Sequence, residues 1–542
     1  MQVCDSVAPD GVGKGASTRM RRRTMIATAG AALASRTAAP ALAQVRSTVR
    51  FVPVLDLNGI DPIWTTSISV RTHGYLVYDT LFGTDAARQV RPQMAEGFET
   101  SPDGRTTTIW LRPGLVFHDG TPVLARDCVA SVRRWAARSA GGQLILAVTE
   151  ELSAPDDLTI RFRLVTPLPM LVPLLGQLAS PPPFIMPERV ARTDPHARIT
   201  DPTGSGPFRF LPNEWVQGSR VAYERFDGYQ PRPEPPSGTT GGKRAVVDRV
   251  EWHVISDAST AVAALQRGEV DWCEAVPADL LPVLRRHADV VISTLDPVGF
   301  PVVMRLNHLQ PPFDNPALRR AVLAAVDQES FLLGGVGDAS LIRPCHSFFP
   351  CGTDLVAGPG SAAMGGNVEA ARRLVMTSGY DGTPAVILAH TTPVLQQMAM
   401  LAADLLRRIG IAVDLQVMDA PTMVRRRTST DPVSRGGWSM FLVWLESAQT
   451  ENPLAHIALG GEGRAAWPGW PTSSRIEALK REWAATSEVD ERRRIAAALE
   501  HEALRVVPYI PLGQFRQPTA HRRNLSAPLA AGFPLFWNLR KA

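Results

Sequence analysis

Val90–Arg134 reads VRPQMAEGFETSPDGRTTTIWLRPGLVFHDGTPVLARDCVASVRR, and the order of its turns and runs sets the kind of fold to look for. Pro102-Asp103-Gly104 has the residues of a tight turn, because proline presets φ and glycine accepts φ > 0. In the strand that should follow, Thr106, Thr108 and Trp110 alternate with Thr107, Ile109 and Leu111, the period-two pattern of a half-buried strand built from β formers. Pro113-Gly114 and His118-Asp119-Gly120 turn the chain twice more. Ala125–Arg134 then has helical spacing, with Val129 and Val132 on one side. The stretch is a small β unit feeding a helix, and nothing in it is a catalytic pattern.

Working outward, strands alternate with helices. Thr48–Pro53 reads as a strand and His73–Phe82 as a helix with Tyr75, Tyr78, Leu81 and Phe82 inward. Gly204–Phe210 is a glycine turn entering a strand. Val246–Ser256 is a strand that stops at Asp257, the N-cap of a helix over Ala258–Arg267 that Gly268 ends. Asp314 or Asn315 caps the helix that Pro316 opens, and Leu318, Val322, Ala325 and Val326 form its apolar stripe. Leu395–Ile409 is a helix leading to the strand Ala412–Val417. Ser473–Val507 reads as one long helical stretch, and Pro508–Leu512 as a last strand. The class is α/β with some α+β character.

The first 43 residues have the order of an export signal: Arg21-Arg22-Arg23 as a basic region with a twin-arginine pattern, Ile26–Ala34 as a short apolar region, and Ala41-Leu42-Ala43 as a small-x-small cleavage site. That segment holds six basic and two acidic residues, so nearly all of the net charge of +5 belongs to it. The remaining chain is close to neutral, which removes the global support for nucleic-acid binding. No run of about 18 apolar residues occurs beyond it, so no transmembrane helix is expected. Export permits disulfides. Cys345 and Cys351 flank the short loop His346–Pro350 and are expected to pair, the alternative being two unrelated buried thiols.

Motifs for chemistry are missing. Gly358-Pro359-Gly360 and Gly365-Gly366 lack the lysine of a phosphate loop. The histidines are scattered, and no metal site or cofactor is expected. Gly204-Ser205-Gly206 lacks the spacing of a nucleophile elbow, and Pro207 would oppose the helix that an elbow needs. Arg425-Arg426-Arg427 reads as a solvated helix face. Trp64, Trp438, Trp444, Trp467 and Trp470 occupy Gly/Pro-rich or strand-end positions. Each one taken singly suits a core edge, but as a group two or three of them are expected to line a ligand cleft.

Five ordered blocks resemble the family 5 solute-binding proteins of bacterial ABC importers, the peptide/nickel/opine class. They are Val90–Glu96 with Asp103–Arg134, Gly204–Phe210 (GSGPFRF), Ala261–Asp271 (AVAALQRGEVD), Asn307–Asp327 (NHLQPPFDNPALRRAVLAAVD) and Leu401–Val413 (LAADLLRRIGIAV). The resemblance implies an α/β, two-lobed periplasmic binding protein fold of type II with a ligand cleft between the lobes. On that pattern residues 44–256 form lobe I, with an accessory subdomain at about 70–200. Residues 257–507 form lobe II, and 508–542 return to lobe I, with crossings near Ile255–Asp257 and Val507–Pro511. It also implies a periplasmic, monomeric protein that is not an enzyme, works without a cofactor, and hands a peptide or similar small organic solute to a membrane permease and its ATPase. A ligand-presenting sensor subunit and an exported hydrolase are the alternatives, the latter requiring a nucleophile–base pair in the cleft.

Ligand contacts are the thinnest part of the resemblance. Peptide-binding members carry a Trp-x-x-Asp type segment that anchors a peptide amino terminus. Here Trp444-Leu445-Glu446-Ser447 places a serine where the acid would be, leaving Glu446 or Glu451 to supply the charge. Arg305 is a candidate partner for a carboxylate, a structural ion pair being equally open. Asp61, Trp64 and Trp438 complete the candidate ligand-binding set.

Overall fold

Thr48–Val52 organises the first part of the chain. Val49, Phe51 and Val52 are buried, and the strand lies parallel to Arg249–His253 on one side, Thr48 opposite Arg249, and to Trp272–Cys273 on the other. The computed structural model describes residues 47–179, 181–356 and 363–542; the expected export signal lies outside the described residues. The first sheet has seven strands, in the order Phe208–Phe210, Arg220–Arg225, Arg249–His253, Thr48–Val52, Trp272–Cys273, Pro518–Arg522, Val290–Thr294. A second sheet of six runs Ile342–Arg343, Tyr509–Phe515, Phe300–Leu306, Met440–Trp444, Ala385–His390, Val413–Met418. These two sheets are the cores of the two lobes.

The opening stretch lies in a third, four-stranded antiparallel sheet ordered Ala95–Thr100, Thr106–Leu111, Thr159–Leu164, Thr149–Ser153. Gly104 and Gly120 sit at φ +68° and +85° as their turns require. Thr107, Ile109 and Leu111 face inward. The helix runs Ala125–Ala136 and buries Cys128, Val132 and Trp135. The helix starts also follow the local signals. Asp257 accepts from the Thr260 N–H at 2.7 Å, and Asn315 from the Ala317 N–H at 2.8 Å with Pro316 in the first turn. Cys345 and Cys351 form a disulfide, while Cys128 and Cys273 are buried and free.

Three expectations are corrected. The crossings lie later than expected: residues 257–294 stay with lobe I, because Trp272–Cys273 and Val290–Thr294 both pair with Pro518–Arg522. Tyr509–Phe515 belongs to lobe II, where it pairs with Phe300–Leu306. The chain therefore passes between the sheets at residues 295–299 and 516–517. The helix expected over His73–Phe82 is Ile68–Val77, followed by the short strands Asp79–Thr80 and Phe82–Thr84. The Val77 carbonyl takes the Gly206 N–H at 2.8 Å, and Asp79, just past the end, reaches Lys243 Nζ at 2.7 Å with both side chains buried. The stretch Ser473–Val507 is two helices, Ser474–Ala485 and Val489–Val506, broken at Thr486–Glu488.

Candidate functional site

Charged side chains from the two lobes meet across the gap between the sheets. Arg71, on the helix Ile68–Val77, is buried with its guanidinium 4.1 Å over the Phe533 ring. It grips Glu446 of lobe II with both terminal nitrogens, Nη2 to Oε1 at 2.6 Å. Arg88 closes the turn Asp85–Gln89 with φ +62°. Its guanidinium pairs with Glu451, donates to Ser447 Oγ at 3.0 Å and reaches Asp296 at 3.5 Å. Asp296 lies in the crossing segment itself and accepts from Ser447 Oγ at 2.6 Å and from the Val298 N–H at 3.0 Å. Burial pushes the Glu451 carboxyl up, Arg88 pulls it down, and Asp296 pushes it up again. The local structure positions these groups: the strand Met440–Trp444 ends just before them, and Glu446 caps the single turn Ser447–Gln449 that follows.

Beside these pairs lies a cavity of about 930 Å³. Its walls come from lobe I and the third sheet (Arg88, Phe98, Leu168) and from lobe II (Glu451, Trp483, Arg492). That volume and mixture of apolar surface with a few charged groups suits a small organic solute. At the base of the gap, Glu274 accepts from the Val54 N–H at 2.7 Å. Burial raises its carboxyl to about 7 against the ordinary 4.5, with Arg71 lowering it and Glu446 raising it. Val54 and Leu55, next to it, stay half exposed.

The candidate residues divide into two groups. Glu446 and Glu451 reach the gap, where they pair with Arg71 and Arg88, whereas Trp444 stays on its lobe II strand, half-buried and edge-on to Phe515 at 5.6 Å. The others are occupied elsewhere. Asp61 takes both nitrogens of buried Arg134 at 3.0 and 2.7 Å and the N–H groups of Ile63, Trp64 and Ile199. Trp64 donates its indole N–H to the His196 carbonyl at 3.0 Å, with Arg198 4.1 Å over its ring. Arg305 is fully buried and donates to the carbonyls of Pro468, Ala458, Pro508 and Trp467 at 2.7–2.8 Å. Burial pushes its guanidinium down to about 9, and no carboxylate pairs with it among the described residues. Trp438 is buried against Phe441 and Trp470. These four build lobes, and of the seven candidates only Glu451 lines the cavity. Sequence reasoning missed Arg71, Arg88 and Asp296, since no local pattern marks an arginine whose partner is 363 or 375 residues away.

The serine and histidine motifs are structural. Ser205 Oγ donates to the Ile185 carbonyl at 2.8 Å and accepts from the Asp79 N–H at 3.0 Å. Its two glycine neighbours are required by close packing: a Cβ at Gly204 would lie 1.9 Å from the Val77 carbonyl oxygen. His73 and His456 are buried and held neutral, each near 3. Among the described residues no group of three or more His, Cys, Asp or Glu side chains could hold a metal, and no helix is long and apolar enough to cross a membrane.

Residues 89–460 match the model of the bacterial extracellular solute-binding proteins, family 5. The chain belongs to that family. A probable peptide ABC transporter periplasmic-binding protein of Sinorhizobium fredii is 38% identical over 493 residues, covering 90% of this chain and 92% of that one. A glutathione-binding protein of Pectobacterium atrosepticum is 26% identical over 374 residues, covering 67% and 68%. Among solved structures, the PBP AgaA of A. tumefaciens R10 in complex with agropinic acid superposes with a TM-score of 0.75 at 23% identity, covering 91% of this chain and 99% of that one. A dipeptide-binding protein of Pseudoalteromonas sp. SM9913 in complex with Met-Leu gives 0.74 at 17% identity, covering 91% and 100%. The fold is thus the two-lobed fold of periplasmic solute-binding proteins, and this family 5 member is a solute-binding protein.

Proposed function

We propose that this protein is the extracytoplasmic solute-binding component of an ABC importer and that it takes a peptide or similar small organic solute into the cavity between its lobes. It is exported by the twin-arginine segment of residues 1–43, works in the periplasm as a monomer, does no chemistry on its ligand, and delivers it to a permease with its ATPase. The observation that carries this reading is the 930 Å³ cavity walled from both lobes, beside ion pairs that join the lobes only when they are together. The two short crossings at 295–299 and 516–517 suit a hinge, in which a few element-terminal residues absorb the rotation. Closing the lobes buries the solute and lets Arg88 from lobe I and Glu451 from lobe II act on it from both sides. The peptide relative at 38% identity supports the choice of solute class.

Native mass spectrometry of the protein released from periplasm tests this reading. The expected result is a non-covalent adduct of small-molecule mass, identified as a peptide or peptide-like compound after denaturation, whose re-addition raises the melting temperature as mass action requires. If peptides, opines and metal chelates all leave the melting temperature unmoved while an unrelated compound binds tightly, the solute assignment is wrong.

A further inference from the structure

The helix Val489–Val506 carries four arginines that behave unequally. Arg493 pairs with Asp490 at 3.0 Å, Arg494 with Glu491, and Arg505 with Glu502 at 2.6 Å. Arg492 has no carboxylate partner among the described residues. Its Nε donates to the Thr486 carbonyl at 2.6 Å, and its guanidinium lies 5.2 Å over the Trp483 ring. Both Arg492 and Trp483 line the cavity. Burial pushes the Arg492 guanidinium down, with no neighbouring acid to offset it. A half-buried cation without a counter-ion carries a desolvation cost that an incoming anion would relieve.

Two other arginines, Arg493 and Arg88, and two acids, Asp354 and Glu451, also line the cavity; Arg493 is paired with Asp490 and donates to the Asp354 carbonyl at 3.2 Å, which leaves Arg492 and Arg88 to compare. Near Arg88 two carboxylates, Glu451 and Asp296, face one guanidinium, so that end holds a surplus of negative charge. The lining also presents open apolar side chains: Phe98 is 44% exposed on the third sheet and Val489 55% exposed on lobe II. The acids closest to Arg492 along the helix, Asp490 and Glu491, are committed to Arg493 and Arg494.

We propose that Arg492, held against Trp483, is the seat of a carboxylate of the bound solute, and that the solute presents an apolar body to Phe98 and Val489. This rests on the reading of the cavity as the solute site and sharpens it to a charged, amphipathic ligand class.

The test compares matched acids and amides on the native protein by calorimetry: the dipeptide alanyl-phenylalanine against its C-terminal amide, and benzoylglycine against benzoylglycinamide. The expected result is tighter binding of the acid in at least one pair. Arg492→Gln should reduce that preference about tenfold or more, Arg492→Lys should keep most of it, and Arg494→Gln should leave it intact. The unliganded melting temperature of each variant reports whether it is folded. Equal binding of acid and amide, or an Arg492→Gln variant that weakens both alike, overturns the assignment while leaving the solute-binding reading in place. If neither dipeptide form binds, the peptide reading fails, and the benzoylglycine pair alone decides Arg492 by the same criteria. A wild-type protein that binds none of the four probes also overturns it.

Discussion

Arg305 and Glu274 show how burial decides what a charged residue does. Arg305 is a candidate for binding a carboxylate until its surroundings are known; four carbonyl oxygens satisfy its donors and tie Phe300–Leu306 to the segments around Ala458, Trp467 and Pro508. Arg305→Met leaves those carbonyls unpaired inside the lobe, so its urea midpoint should fall by the equivalent of about 3 kcal/mol or more, while solute affinity of the folded fraction holds. Unchanged stability with lost affinity would return Arg305 to the ligand site. Glu274 behaves in the opposite sense to a paired carboxylate. With its carboxyl raised to about 7 from 4.5, the native protein keeps a proton that the unfolded chain releases. The stabilisation is present at the acidic end of that window and is lost as pH rises through it. Relative to Glu274→Gln, the wild-type melting temperature should therefore decline between those two values and level above them. A difference that is flat with pH would contradict the burial of this group. Asp61 and Trp438 looked equally available in the sequence, because residue type and neighbours along the chain do not report the partner.

At the scale of elements, turns, a strand and helix caps set by a few adjacent residues are legible in the sequence, whereas the break at Thr486–Glu488 within Ser473–Val507 is not. The turn at Pro102–Gly104, the strand Thr106–Leu111, and the caps at Asp257 and Asn315 depend on a few adjacent residues. Elements fixed by distant partners were misjudged. Trp272–Cys273 is only two residues long, yet it joins strands from residues 48 and 520 in one sheet, which moves the lobe boundary about forty residues. The helix that ends at Val77 gives its last carbonyl to the Gly206 N–H, and Asp79 just beyond it pairs with Lys243, both partners more than 120 residues away. The Cys345–Cys351 bridge is an element-scale constraint of the local kind, closing a loop of six residues' separation beside the strand Ile342–Arg343. Chain entropy for so short a loop amounts to about 2 kcal/mol. The Cys345→Ser/Cys351→Ser double variant should lose about that much in denaturant unfolding, and a loss near zero would show that the loop is held without the bridge.

For the whole molecule, the family and the two-lobed fold are legible because blocks spread along the chain carry them, whereas the proposed site draws on residues that no single segment contains. Glu446, Ser447 and Glu451 stand in one segment of lobe II, but Arg71, Arg88 and Asp296, which meet them, come from lobe I and the crossing. The proposed site, with walls from both lobes, makes a definite demand on dynamics: a solute that enters the cavity must order both walls and the crossings together. Hydrogen–deuterium exchange of the native protein, with and without the solute recovered from periplasm, measures this directly. Capture between the lobes requires simultaneous protection of residues 84–98 on lobe I, residues 445–455 on lobe II and the crossing at 295–299. Protection confined to one lobe, or none at all with solute bound, would contradict it.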